Sequence, residues 1–194
     1  WHPQLPEGFK KFCAQVSIDT SSVQYENDSL MRKVRGCDDY GIACCVSYQA
    51  IGKAIQFFGA RANLAKALLL AINGGRCENT GTLMVEGIKP LSSDVLDFDE
   101  VMDNYKKVLH DVARVYNETM NIIHFMHDKY DYERSQMAFI DTNPTINLAY
   151  GVAGLSIVAD SLSAIKFAKV TARRNADGLT EGFDIEGSFP MFGN

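Results

Sequence analysis

Apolar residues recur every three or four positions in two long stretches of the chain, which is the spacing of one face of a helix. In residues 53–72 these positions are Ala60, Leu64, Ala67, Leu68 and Ala71. After residue 97 they are Phe98, Val101, Tyr105, Val108, Val112, Val115, Ile122 and Met126. The pattern predicts a helix over residues 53–72 and a second helix of about nine turns that begins after residue 97.

Capping signals mark an end of each predicted helix. Asn73, Gly74 and Gly75 follow the first helix, and glycine readily adopts the left-handed conformation that ends a helix. Asp97 and Glu100 have the spacing of a capping box at the start of the second. The segment between the two helices, residues 76–93, is predicted to be a loop with one short strand at 83–85.

The segments before residue 53 show shorter patterns. Residues 9–25 contain β-branched and aromatic residues on both sides of a polar turn, which predicts extended segments. Residues 26–37 are polar and contain loop signals, so a loop is expected there. Residues 38–47 fit either a buried strand or a loop inserted into a core, because periodicity alone does not separate the two.

The last third of the chain combines helical and extended patterns. A further helix is predicted over residues 130–141, and a loop followed by a helix over 151–169, with Asp160 or Ser161 as its cap. Residues 171–178 predict a basic connection with a turn, and residues 183–186 a short strand. The mixture of strands, buried loops and long helices indicates part of an α/β architecture.

Composition narrows the classes of partner. The chain has 194 residues, a net charge of -5 and no basic run interleaved with aromatic residues. Such a charge balance argues against nucleic acid or an anionic membrane as the main partner. The apolar run at 65–72 is too short to span a bilayer. An odd number of cysteines without a repeating framework favours a reducing compartment, either the cytoplasm or an organelle.

The adjacent cysteines Cys44 and Cys45 are the main candidates for chemistry. On an extended backbone they point to opposite faces, and a disulfide between them would be strained and easily reduced. They match neither a CxxC redox pair nor a zinc-binding spacing. One interpretation is two buried apolar side chains, since free cysteine is often buried. The other is a thiol pair in which a radical passes from one sulfur to the other, because hydrogen-atom transfer needs no charged activator.

Arg61 is the second candidate, because it lies among phenylalanine, glycine and alanine residues at 57–62. Its planar guanidinium suits a carboxylate, which it can bind through two parallel hydrogen bonds. The alternative is an arginine that pairs with a carboxylate of the protein, such as Asp38 or Asp39. Together with the two thiols, a carboxylate-binding arginine indicates attack by sulfur on a small anionic substrate.

Two other motifs are weaker. The glycines at 151 and 154 lack the lysine of a phosphate loop and the spacing of a dinucleotide fingerprint, so they predict close helix packing. His124 and His127 lie on one face of the long predicted helix, but the sequence shows no third ligand for a metal. Hydrogen-bonded histidines are the simpler interpretation, and no metal is predicted.

Several stretches of the sequence closely resemble pyruvate formate-lyases, a family of glycyl-radical enzymes. They are residues 42–47 (IACCVS), 56–66 (QFFGARANLAK), 16–22 (VSIDTSS), 24–28 (QYEND), 127–130 (HDKY) and 159–166 (ADSLSAIK). The similarity runs through the whole chain. The cysteine pair is specific, because related glycyl-radical dehydratases and decarboxylases use a single cysteine at this place.

The resemblance implies a fold and a reaction. The fold is a ten-stranded α/β barrel with a cysteine loop that enters it, of which this chain would be a part. Cys45 would receive the radical and pass it to Cys44, whose thiyl would attack pyruvate and keep the acetyl group. Formate would leave, and coenzyme A would take the acetyl group, as in anaerobic glucose fermentation. Arg61 would bind the pyruvate carboxylate, and Phe58 would pack against the methyl end.

The resemblance also implies partners that this chain does not contain. The radical is stored on a glycine near the C-terminus of the family's proteins and is installed by a radical S-adenosylmethionine activating enzyme. No counterpart of that glycine segment or of the N-terminal barrel strands occurs in the sequence. We therefore interpret residues 1–194 as an internal segment of one catalytic domain, inactive alone and homodimeric as a full-length protein.

One position departs from the family pattern, and two other functions stay open. At Ile140 many members of the family have a histidine thought to assist coenzyme A, and isoleucine can do no acid–base chemistry. A 2-oxobutyrate formate-lyase would share these sequence features. A non-catalytic protein that senses oxidants or soft metals through its adjacent thiols is the alternative from another class.

Overall fold

A computed structural model describes residues 1–43, 47–57, 60–131 and 143–192 of the chain. Its helices are α1 (Glu7–Thr20), α2 (Asp28–Arg35), α3 (Leu64–Ile72), α4 (Phe98–Tyr130) and α5 (Leu155–Phe167). Its strands are β1 (Tyr40–Ala43), β2 (Ser47–Ala50), β3 (Ala54–Phe57), β4 (Arg61–Asn63), β5 (Thr145–Leu148), β6 (Gly151–Ala153), β7 (Lys169–Arg174) and β8 (Thr180–Glu186).

The described residues form two compact units. The first contains Trp1–Phe57 and Asp131–Leu148, and the second contains Phe58–Tyr130 and Ala149–Asn194. The first holds α1, α2, an antiparallel pair β1–β2 and a parallel pair β3–β5. The second holds the other helices, a parallel pair β4–β6 and an antiparallel pair β7–β8. This mixture agrees with the predicted α/β class, and the ten-stranded barrel stays a prediction.

Helix α1 shows that the extended segments predicted for residues 9–25 are wrong up to Thr20. Pro6 precedes the helix and Glu7 lies in its first turn, where a negative charge is favourable. The β-branched residues of this segment suggested strands, but their preference is weak and local context overrides it. No residue of α1 is buried, and the side chains of Phe12 and Ile18 are 65% and 75% exposed.

Helix α2 occupies the segment for which a loop was predicted, so that prediction is also wrong. The Asn27 side chain accepts a hydrogen bond from the Leu30 N–H at 3.0 Å, and Gly36 ends the helix with φ of 63°. The residues that signal a loop in the sequence are therefore the caps of a short helix. Asp28 lies in its first turn and three basic residues in its last, which complements the helix dipole.

The helix predicted over residues 53–72 forms only in its second half. Residues 54–57 and 61–63 are strands β3 and β4, which pair with β5 and β6 from much later in the chain. Helix α3 then begins at Leu64, and the Asn63 side chain accepts a hydrogen bond from the Lys66 N–H at 3.1 Å. Long-range strand pairing thus overrides the local helical pattern in the first half.

Helix α4 confirms the long helix predicted after residue 97. The Asp97 carboxylate accepts the Glu100 N–H at 2.9 Å, as the capping box requires. The Glu100 carboxylate instead accepts the N–H and the hydroxyl of Ser92, both at 2.9 Å, and so ties the preceding loop to the helix. The predicted helix at 130–141 falls mainly outside the described residues.

The core of the second unit lies between α3, α4, α5 and the β7–β8 pair. Its buried members include Ala67, Leu68, Ala71, Val101, Tyr105, Val108, Val158, Val170 and Ala172. The buried side chain of Asn104 on α4 donates to the carbonyls of Ala71 at 3.3 Å and Lys89 at 2.8 Å. It thereby fixes the end of α3 and the following loop against α4.

Helix α5 and the final strands refine the predictions for the last third. The helix begins after Gly154, whose φ is 80°, and not at Asp160 or Ser161. The strand predicted at 183–186 is confirmed as part of β8. The connection predicted at 171–178 is wrong in its first half, because β7 extends to Arg174. The turn itself follows, with the Gly178 N–H donating to the Asn175 carbonyl.

The end of α3 and the β7–β8 pair meet at a buried polar junction formed by Asn73, Arg174 and Thr180. The Asn73 side-chain oxygen accepts the hydroxyl of Thr180 at 2.7 Å, its N–H at 3.1 Å and the Arg174 guanidinium at 3.3 Å. Asn73 is only 6% exposed and Thr180 only 5%. The same guanidinium reaches the Gly178 carbonyl at 3.0 Å and the Asp94 carboxylate at 2.8 Å.

The two glycines after α3 are predicted to differ strongly in their tolerance of alanine. Both have positive φ, 62° at Gly74 and 83° at Gly75. A Cβ at Gly74 would meet nothing closer than 4.0 Å, whereas at Gly75 it would run into the Val85 carbonyl oxygen. Gly74→Ala should lower the free energy of unfolding by about 1–2 kcal/mol, the cost of the left-handed backbone alone, and Gly75→Ala by about 3–5 kcal/mol.

Urea-induced unfolding followed by circular dichroism measures this difference. Gly74→Ala serves as the matched control, because it makes the same chemical change at the neighbouring position. Equal losses for the two variants would contradict the close approach of Val85 to Gly75.

Candidate active site

Strands β1 and β2 flank the two candidate cysteines in the sequence. They pair antiparallel, with Ala43 opposite Ser47 and Tyr40 opposite Ala50. The segment 38–47, for which strand and loop were both open, therefore contains a strand at Tyr40–Ala43. Cys44 and Cys45 lie outside the described residues, so their predicted role stays a prediction.

Side chains from α2 hold the β1–β2 pair in place. The Tyr40 hydroxyl donates to the Asp28 carboxylate at 2.7 Å, and Arg32 binds the same carboxylate at 3.0 Å. The hydrogen bonds from Tyr40 and Arg32 lower the pKa of Asp28, and the bond to Asp28 raises the pKa of Tyr40. The Tyr40 and Tyr48 rings stack at 5.4 Å between centroids. The strands on either side of the cysteines are thus anchored to a charged helix.

A polar cleft of about 700 Å³ lies beside β2 in the first unit. Its lining includes the cations Arg35 and Lys53 and the amides of Gln49, Gln56, Asn143 and Asn147. The Gln49 amide nitrogen donates to the Gln56 side-chain oxygen at 3.1 Å. Strand β2, which follows the cysteines in the sequence, therefore contributes to a polar surface that carries positive charge.

Arg61 is the first residue of β4, although the sequence predicted a helix at this position. Its side chain is exposed. The planar guanidinium of an arginine matches the geometry of a carboxylate. Asp38, one of the two carboxylates considered as its partner, lies 3.4 Å from the guanidinium of Arg32. Phe58, predicted to pack against the substrate methyl group, lies outside the described residues.

Strand β4 is joined to a helix at each end by a side-chain hydrogen bond. At its start, the Tyr116 hydroxyl of α4 donates to the Ala60 carbonyl and lies 3.2 Å from the Gly151 carbonyl. At its end, the side chain of Asn63 caps α3. Three residues would make a weak strand alone, so these contacts and the pairing with β6 fix the backbone that carries Arg61.

Gly154 allows α5 to approach α3 closely. A Cβ at this position would lie 3.2 Å from the Cβ of Ala65 and 3.3 Å from its backbone nitrogen. This agrees with the packing role predicted for Gly154, and the role of Gly151 stays a prediction. The close approach also brings the start of α5 next to the end of β4.

A cluster that the sequence did not reveal joins α3 to the following loop. Lys66 forms an ion pair with Glu78 and donates to the Cys77 sulfur at 3.3 Å. Burial opposes the charge on Lys66, but its bonds to Glu78 and Cys77 outweigh that effect and raise its pKa. Hydrogen bonds from the Thr80 hydroxyl, the N–H groups of Thr80 and Asn79, and Lys66 lower the pKa of Cys77 to about 7.

The helix histidines do not assemble a metal site within the described residues. The ring nitrogen Nε2 of His124 lies 3.2 Å from the Asp128 carboxylate, one turn along α4. Within residues 1–43, 47–57, 60–131 and 143–192, no group of three or more histidine, cysteine, aspartate or glutamate side chains is arranged to hold a metal ion. In the same ranges, no helix is both long and apolar enough to cross a membrane.

Comparison with known proteins defines the class of this chain. The sequence model of the pyruvate formate lyase-like family matches residues 1–194, so the chain belongs to that family. Among its relatives, formate acetyltransferase 1 of Escherichia coli (strain K12) is 55% identical over 194 residues, which are 100% of this chain and 26% of the relative. The chain therefore spans about a quarter of the length of this curated relative. The resemblance seen in the sequence is confirmed.

The thiol of Cys77 is predicted to react with alkylating agents at neutral pH. A thiol with a pKa of about 7 is half ionised at pH 7, and its reaction rate rises as the pH rises through that value. Thr80→Val removes the hydroxyl that contributes most, so the pKa should rise. For a rise of one unit the rate at pH 7 falls about fivefold.

Iodoacetamide labelling between pH 5 and 9, with each cysteine resolved by peptide mass spectrometry, measures this effect. Labelling of Cys37 in the same samples is the internal control, since Thr80→Val should leave it unchanged. A Cys77 profile that does not move in Thr80→Val would rule out this source of the low pKa.

Proposed function

We propose that the chain is an internal segment of a pyruvate formate-lyase, which converts pyruvate and coenzyme A into acetyl-coenzyme A and formate. The observation that carries the proposal is the adjacent pair Cys44 and Cys45 in a chain that belongs to the pyruvate formate lyase-like family. The 55% identity to a formate acetyltransferase over the whole chain supports it. In this proposal the segment is part of a ten-stranded α/β barrel, and the full-length protein is a homodimer.

The proposed reaction divides the chemistry between the two thiols. Cys45 takes up the radical from a glycine elsewhere in the full-length protein and passes it to Cys44. The Cys44 thiyl adds to the pyruvate carbonyl and the C–C bond breaks, which leaves the acetyl group on Cys44 and releases a formate radical anion. This radical takes a hydrogen atom from the Cys45 thiol and leaves as formate, which returns the radical to Cys45. The coenzyme A thiol then takes the acetyl group and leaves its hydrogen on Cys44. This is covalent catalysis with a radical in place of a thiolate. The absence of basic residues from stretch 42–47 is consistent with it, since no thiolate has to be formed.

Arg61 supplies the charge that the substrate needs. Its exposed guanidinium at the start of β4 can hold the pyruvate carboxylate through two parallel hydrogen bonds. Phe58, three positions earlier, packs against the methyl end in this proposal and so limits the length of the substrate. A radical S-adenosylmethionine enzyme installs the glycyl radical on the full-length protein.

Anaerobic activation of the complete reading frame tests the proposal. We expect a glycyl radical by electron paramagnetic resonance and exchange of labelled formate into pyruvate. Cys44→Ser and Cys45→Ser should both abolish exchange, because each removes one sulfur of the relay. Cys13→Ser is the matched control and should keep full exchange.

The outcomes separate the competing functions. A radical without exchange would indicate another glycyl-radical reaction, and no radical at all would favour a protein that senses oxidants through its thiols. Comparing pyruvate with 2-oxobutyrate in the same assay identifies the preferred 2-oxo acid.

The variant Arg61→Lys tests the role of the guanidinium. Lysine keeps the positive charge but cannot form two parallel bonds to a carboxylate. The KM for pyruvate should rise about tenfold, the loss expected from one charge-assisted hydrogen bond. An unchanged KM for pyruvate would exclude Arg61 from the binding site.

With isoleucine at position 140, we expect acetyl transfer to coenzyme A to be slow relative to formate exchange. Formate exchange does not involve coenzyme A, whereas transfer to coenzyme A benefits from a base that isoleucine does not provide. Ile140→His should speed acetyl-coenzyme A formation by about tenfold, the low end of general-base catalysis, and leave formate exchange unchanged. Equal effects on both rates would show that position 140 does not act on coenzyme A.

A further inference from the structure

The hydroxyl of Tyr116 bridges the backbones of the two strands at the start of the β4–β6 pair. It donates to the carbonyl of Ala60, the residue directly before Arg61, and lies 3.2 Å from the carbonyl of Gly151. Gly151 is the residue opposite Arg61 in the parallel register. A single side chain of α4 thus contacts both strands at the point where Arg61 begins.

The ring of Tyr116 is held in turn by Tyr150. The two rings meet edge to face, with centroids 5.1 Å apart and planes at 77°. The Tyr150 hydroxyl donates to the Asn117 side chain at 2.8 Å, so Tyr150 is also fixed to α4. Aromatic pairs of this geometry restrict one another, which gives the Tyr116 hydroxyl a defined position.

We propose that Tyr116 is a positioning residue that sets the backbone of Arg61 and hence the affinity for the substrate carboxylate. The inference rests on the proposed function of Arg61. Tyr116 acts on Arg61 through the Ala60 carbonyl and the register with Gly151.

The length of the arginine side chain explains why a backbone contact matters. A small rotation of the peptide before Arg61 moves the guanidinium, at the far end of the side chain, by a larger distance. Two parallel bonds to a carboxylate tolerate little displacement, because each depends on a short distance and a near-linear angle. Tyr116 lies on α4 between the buried residues Val108 and Met120, so the helix that carries it is held in the core on both sides.

Tyr116→Phe removes the hydroxyl and keeps the ring against Tyr150, so the fold should be retained. In formate exchange with the activated full-length protein, we expect the KM for pyruvate to rise about tenfold while kcat changes less than about twofold, since Arg61 binds ground state and transition state alike. The KM for coenzyme A, measured in acetyl-coenzyme A formation, should stay constant. Tyr130→Phe is the matched control, because it removes a hydroxyl from an exposed tyrosine of the same helix.

A double variant shows whether Tyr116 acts by positioning Arg61 or weakens pyruvate binding in another way. If Tyr116 acts through Arg61, Tyr116→Phe should raise the pyruvate KM no further in an Arg61→Lys background. An unchanged KM in Tyr116→Phe, or an additive increase in the double variant, would overturn the inference while the lyase function stands. A wild-type protein that forms a radical but shows no formate exchange would overturn the proposed function and the inference with it.

Discussion

The second unit depends on one buried acceptor, the side-chain oxygen of Asn73 at the end of α3. It receives hydrogen bonds from Thr180 and Arg174, residues roughly a hundred positions later, and so joins the first core helix to the last strand pair. A buried oxygen must be satisfied, because an unpaired one costs about 1–3 kcal/mol. This need fixes where the β7–β8 pair sits on α3. With that end fixed, Asn63 and Gly154 determine how β4 enters the helix at its other end.

In each unit, a short strand carries or borders in sequence the candidate residues. Arg61 lies on a strand of three residues that is stabilised by pairing with β6 and by the hydrogen bond from the Tyr116 hydroxyl. The strands that border Cys44 and Cys45 in the sequence are anchored by the hydrogen bonds that Asp28 makes with Tyr40 and Arg32. In both places a short strand is positioned by a side chain from a helix. Catalytic geometry needs such support, because reacting groups must be held within a fraction of an ångström.

The sequence predicted the features that depend on near neighbours. The cap at Asp97, the glycines after α3 and the long stripe of α4 all involve contacts within a few residues, and all three are confirmed. Strands β3 and β4 were missed because their partners lie far along the chain. The low pKa of Cys77 was missed because Lys66 and Thr80 belong to no recognisable motif. The residues themselves indicated Cys44, Cys45 and Arg61 as candidates, and the family resemblance gave their specific roles and added Phe58.

The pairing of β3 with β5 and β4 with β6 has a consequence for the order of folding. Each pair joins positions separated by roughly ninety residues, most of which belong to α3, the following loop and α4. Such distant contacts form late, because closing a long loop is entropically costly. During synthesis, β4 can find its partner only after residue 153 has left the ribosome. Helix α4, built from local contacts, can form before that. Strand β4, which carries Arg61, is therefore expected to be among the last parts of the chain to pair with its native neighbours. Helix α4, which contacts it through Tyr116, is expected to have formed before then.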